Sequence, residues 1–118
     1  MNRERLAELA DALIPAEHGM PSASEAGAVG EWLDAVLAAR PDFKAPLEAL
    51  AASSDTVDPA DLGTLSAAVF AAYYMNPDVC ERIGYAGQRA IPFDPDAPDY
   101  LDVLESVKAR PPVYRPTP

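Results

Sequence analysis

Apolar residues recur along most of the chain at the three- and four-residue spacing of an amphipathic helix. Leu6, Leu9, Leu13 and Ile14 are the first such set and predict a helix over residues 3–14, ended by Pro15. Residues 16–24, AEHGMPSAS, have the Gly, Pro and Ser content of a loop. Ser24 then reads as the cap of a second helix over 25–39, with Glu25 in the first turn, where the helix dipole favours a carboxylate. Val29, Trp32, Leu33, Val36 and Leu37 form its apolar stripe, with Trp32 as a core anchor. Gly27 and Gly30 fall on the same predicted helix. Each lowers helix propensity by up to ~1 kcal/mol, a pattern that points to close approach of another element.

Pro41 interrupts the pattern. A short helix over 42–52 follows, with Phe43, Leu47 and Leu50 as its apolar residues and Pro46 tolerated in its first turn. Residues 53–63, SSDTVDPADLG, are an acidic connector in which Asp58 is a good cap and Pro59 a good first helical residue. The helix over 59–75 brings Leu62, Leu65, Val69 and Tyr73 to one side, with Phe70 and Tyr74 widening the stripe. Asn76-Pro77 stops it and starts another short helix containing Val79, Cys80 and Ile83, closed by Gly84 in a left-handed cap. Beyond it, YAGQRAIPFDPDAPDY (85–100) is too rich in Pro, Gly and Asp for regular structure. Leu101, Leu104 and Val107 allow a brief helix over 99–108, and PPVYRPTP (111–118), half proline, is polyproline-like. The expected fold is all-α: a small helical bundle (1–84) with an extended, proline-rich C-terminal arm (85–118) that is not an independent domain.

Composition narrows what such a fold is for. A chain of 118 residues builds one core. Nine Lys and Arg against nineteen Asp and Glu give a net charge of −10, which argues against nucleic acid and anionic membrane surfaces as partners. No apolar run approaches the roughly 20 residues of a membrane span. A single cysteine, Cys80, forms no internal disulfide. Glu4, Glu8 and Asp11 interrupt what a signal peptide would need as an apolar run, and Arg3 and Arg5 are not adjacent, so the expected location is cytoplasmic. Charge is unevenly divided: residues 1–75 carry 4 basic and 12 acidic side chains, residues 76–118 carry 5 and 7.

Candidate chemistry is sparse. His18, the only histidine, has no Cys or His partner at metal-site spacing and sits in a Gly/Pro-rich loop, where a solvated imidazole is the expectation. Cys80 lies on an apolar helix face near Arg82, and a buried, inert thiol is favoured over a reactive one. Asp94, Asp96 and Asp99 partly resemble a calcium loop. However, Pro98 replaces a ligand, Asp99 takes the glycine position and Glu105 the last, so turn carboxylates are favoured. The chain has no dinucleotide or phosphate loop, no nucleophile elbow and no haem-attachment motif. No catalytic, metal-binding or cofactor-binding residue is expected. Attention therefore moves to surfaces. The arm scatters Tyr85, Ile91, Phe93, Tyr100, Val113 and Tyr114 among prolines, with Arg89, Arg110 and Arg115 available. Proline reduces the entropy lost on ordering, and Tyr and Arg are favoured interface residues, so docking on a partner is favoured over wrapping the chain's own helices or disorder.

Two motifs then resemble one family. LAELADALIPAEHGMPSASEAGAVGEWLD (6–34) resembles the opening of the gluconate 2-dehydrogenase subunit 3 family, in which a helix ending in Leu-Ile-Pro leads through a Gly/Pro loop to an Glu-Ala-Gly-rich helix. NPDVCERIGYAG (76–87) is similar to the family's Gly-Tyr-Pro-Gly turn, with Ala86 where many members have proline, and YRPTP resembles endings seen in shorter members. Many relatives carry a twin-arginine leader, a pattern not present here. The resemblance implies a non-catalytic small subunit. Its partner would be a flavoprotein large subunit of the glucose–methanol–choline oxidoreductase type, which holds the FAD and oxidises a sugar, sugar acid or glycoside. Tyr85, Gln88, Arg89, Phe93, Tyr100, Tyr114 and Arg115 are the expected partner-binding residues. The alternatives are a free-standing helical protein-interaction domain without a flavoprotein partner, and a small enzyme using His18.

Overall fold

The computed structural model describes residues 1–54, 56–90, 92 and 98–117, with the backbone alone at 98–100. Six α-helices and one 3-10 turn make up the regular structure of these residues: α1 (Arg3–Leu13), α2 (Glu31–Ala39), the turn Pro41–Phe43, α3 (Lys44–Ala52), α4 (Pro59–Met75), α5 (Pro77–Arg82) and α6 (Pro98–Lys108). The all-α expectation is met. Contacts divide the chain into two units, Met1–Gly87 and Gln88–Pro118. No helix among the described residues is long and apolar enough to cross a membrane.

The first unit is built around α4, which packs against α1, α2, α3 and α5, while α1 also packs on α3. Leu6, Leu33, Leu47, Leu50, Leu65, Val69 and Val79 are its largest fully buried side chains. Burying each stabilises the fold by roughly 1.5–3 kcal/mol before entropy is counted. The helix ends follow local rules legible in the sequence. Asp58 accepts the Ala60 N–H at 2.8 Å with Pro59 in the first turn. Asn76 accepts the Asp78 N–H at 2.8 Å ahead of Pro77. Each cap satisfies a backbone donor that the helix itself leaves unpaired.

The second helix departs from expectation. It begins at Glu31, not at residue 25, and residues 23–30 are turns. Ser22 rather than Ser24 supplies the cap: the Glu25 N–H donates to Ser22 Oγ at 3.3 Å, and Glu25 Oε2 accepts the Ser22 N–H at 3.0 Å, a reciprocal capping box. The turn that starts there ends at once. Gly27 has φ +75°, its N–H donates to Ser24 O at 3.0 Å, and the Ala28 N–H reaches Ala23 O at 2.9 Å, the pair of bonds of a Schellman motif. A single helical turn is thus capped at both ends, and its Ala23, Ala26 and Ala28 enter the core. Ser24 donates its N–H and hydroxyl to the Asp11 carboxylate at 2.7 and 2.6 Å, tying the turn to α1. The close approach expected at Gly27 comes from within: a Cβ there would lie 3.2 Å from Trp32 Cδ1. Trp32 itself is only partly buried, at the margin of the core.

A second correction concerns α4. Phe70 and Tyr74 do not widen the buried stripe; both are exposed, outside the buried set Leu65, Ala68, Val69, Ala72 and Tyr73, with the Tyr74 ring meeting that of Tyr73 edge-on at 5.3 Å. Likewise only Val79 of the apolar residues in α5 is fully buried, and Ile83 is exposed.

Candidate functional site

Three side chains from the end of α4 and from α5 reach back to the loop between α1 and α2. Tyr73 Oη donates to Pro21 O at 2.7 Å, Asn76 Nδ2 to Ala26 O at 2.9 Å, and Arg82 Nη1 to Gly19 O at 2.6 Å. The tyrosine is buried, and loss of solvent is the main force holding its phenol above the ordinary 10.0. Tyr74 and Glu25 push the same way and Arg82 opposes them. In the loop itself, His18 and Gly19 have φ +53° and +80°, and the Met20 N–H donates to Glu17 O at 2.9 Å. Two consecutive positive φ values are what a type I′ turn requires, and histidine is among the residues that tolerate them.

These bonds shape two concave surfaces on either side of α5. One, of about 420 Å³, is lined by residues 16–21 with Glu25 and Arg82; His18 stands exposed at its rim among Glu17, Glu25 and Arg82. The other, of about 570 Å³, is an open, mainly apolar groove lined by Met75, Pro77, Cys80, Glu81, Gly84, Tyr85, Ala86 and Gly87. Gly84 makes it possible. At φ +73° its N–H donates to Glu81 O at 3.1 Å and the Tyr85 N–H to Cys80 O at 2.9 Å, so the helix ends in a second Schellman motif that turns Tyr85 back over α5. Cys80 Sγ donates to Tyr74 O at 3.0 Å. The nearby cation, Arg82, is bound to the Gly19 carbonyl, away from that thiol. Among the described residues, no group of three or more His, Cys, Asp or Glu is placed to hold a metal ion.

Of the residues expected to bind a partner, only Tyr85 belongs to the first unit, where it lines the apolar groove. Gln88 and Arg89 are exposed at the start of the second unit, and Tyr114 and Arg115 are exposed near its end. Phe93 and the side chain of Tyr100 lie outside the described residues, as do Ile91, Asp94, Asp96 and the Asp99 side chain. Phe70, Tyr74 and Met75, exposed on α4, were hidden in the sequence by their resemblance to core residues. The run AAVFAAYYM is apolar all round, so its periodicity does not say which side faces solvent. No protein-family model, curated protein or solved structure matches this chain.

Proposed function

We propose that the chain is the non-catalytic small subunit of a flavin-dependent sugar or glycoside dehydrogenase, one that binds and stabilises an FAD-carrying large subunit of the glucose–methanol–choline oxidoreductase type. The observation that carries this is the union of the two family-like motifs. Residues 6–34 and 76–87 are far apart in sequence, yet Asn76 and Arg82 of the second are bonded to carbonyls of the first at 2.9 and 2.6 Å. Their polar side chains shape backbone into a surface, as a presenting subunit needs, rather than gathering reactive groups around a cavity. The arm carries exposed aromatic and cationic residues of its own, Tyr85, Arg89, Tyr114 and Arg115, of the types favoured at interfaces.

The physical mechanism is linkage. A chain that binds only the folded flavoprotein stabilises it by RT ln(1 + [L]/Kd), about 2.7 kcal/mol when present at a hundred times Kd. Binding of FAD and oxidation of the sugar belong to the large subunit. Co-expression with the flavoprotein, followed by size-exclusion chromatography and a flavin spectrum, tests the proposal. Stoichiometric co-elution with bound flavin, and loss of soluble flavoprotein when the small chain is omitted, are expected. A flavoprotein equally soluble and active alone, or oxidation of a sugar by the small chain alone, overturns it. An arm deleted after Gly87 is expected to weaken co-elution; full-strength binding would remove the arm from the interface and leave the body.

A further inference from the structure

Helix α4 has one charged side chain among its seventeen residues, Asp61, and only one of its faces lies in the core. On the other, Ala67, Phe70, Ala71, Tyr74 and Met75 follow at helical spacing and are all exposed, the three large ones by 43, 50 and 43%. Single exposed apolar residues need no explanation; a contiguous row does. Met75 also lines the groove bounded by Tyr85, so row and groove form one surface. From Ala60 to Met75 the row is about 22 Å long at the α-helical rise per residue. Its amino-terminal half is small, with Ala60, Gly63 and Ala67, which lets another backbone come close, while its other half offers rings and a thioether. The dimensions suit the side of a second helix of about four turns packed ridge into groove.

Charge says what kind of helix. No Lys or Arg occurs between Lys44 and Arg82, and Arg82 is bonded to the Gly19 carbonyl. Asp58 and Asp61 flank one end of the row, Asp78 and Glu81 the other. We infer that this face docks an amphipathic helix of the flavoprotein large subunit, apolar at the i, i+3/i+4, i+7 positions, flanked by Lys or Arg, and seating one side chain in the groove beside Tyr85. The inference rests on the accessory-subunit reading and adds a docking surface on the helical body to the one on the arm. A second copy is the poorer occupant, since it would set the same four carboxylates against these, and like charges across an interface are costly.

The test is binding of the co-expressed FAD-dependent large subunit by the full chain and by variants. Phe70→Asp with Tyr74→Asp is expected to weaken binding at least a hundredfold, with the helical circular-dichroism signal and melting of the free chain retained. Ala71→Arg, an addition to the same exposed face, is expected to weaken it at least tenfold and gives the readout should the double variant not fold. Glu81→Lys is expected to weaken binding three- to tenfold and to flatten its salt dependence. Binding within threefold of wild type by a folded double variant and by Ala71→Arg overturns the inference while leaving the accessory role standing. Failure of the wild-type chain to bind the flavoprotein overturns both. A wild-type homodimer that the double variant dissociates assigns the face to a second copy and also overturns it. The same holds if deletion of residues 88–118 tightens flavoprotein binding only when Phe70 and Tyr74 are intact, because the chain's own tail is then the occupant.

Discussion

Leu6 in α1 has no exposed surface, whereas Leu101 and Leu104 in α6 each keep 55% of theirs. The two helices are the same length, eleven residues, and space their leucines alike. What separates them is tertiary. Helix α1 lies against α3 and α4, and is itself bonded through Asp11 to the capped turn at Ser24. Helix α6 belongs to a separate unit. Helices this short are marginal in water on their own, so packing rather than propensity sets their stability. Amphipathic spacing therefore defines a helix without defining what covers it.

The largest effect expected from that contrast is in the core. Leu33→Ala should lower stability by about 2–5 kcal/mol in urea unfolding, through lost transfer energy and the cavity left behind. Leu104→Ala should change it by no more than about 0.5 kcal/mol; a comparable loss at both sites would erase the distinction. Gly27→Ala comes next, at about 1–2 kcal/mol, because a side chain at φ +75° is strained and its Cβ meets Trp32. Tryptophan fluorescence should shift in parallel. Tyr73→Phe should cost about 1 kcal/mol by orphaning the Pro21 carbonyl. It also carries a pH signature. Because burial raises the folded phenol above 10.0, the neutral ring's contribution is complete below pH 10.0 and is lost as pH rises through the folded value. The wild type should therefore lose stability on the alkaline side more steeply than Tyr73→Phe, which a urea series from pH 8 upward reads out. The smallest change expected is deletion of residues 88–118: the denaturation midpoint of the remaining body should stay within the error of measurement, and a lost or broadened transition would show that the body depends on the tail.

The sequence foretold the helices where punctuation is chemical. Asp58-Pro59, Asn76-Pro77 and Gly84 act through their own side chains or backbone freedom, so local rules locate them. Residues 25–30 have helical spacing yet form no part of α2, because Ser22, Glu25 and Gly27 together specify a complete one-turn unit, with Gly27 as its stop rather than a weak helical residue. The bonds that join the two motifs end on main-chain carbonyls, which no residue pattern encodes. The outer face of α4 stayed illegible for the opposite reason: its sides are too alike in composition for burial to be read from order.

Tyr73, Asn76 and Arg82 grip the loop of residues 16–21 and the turn after it only by carbonyl oxygens of Pro21, Ala26 and Gly19. Any amino acid supplies a carbonyl. The side chain at Glu17 is consequently released from scaffolding duty, whereas position 18, at φ +53°, is restricted to residues that accept a left-handed backbone.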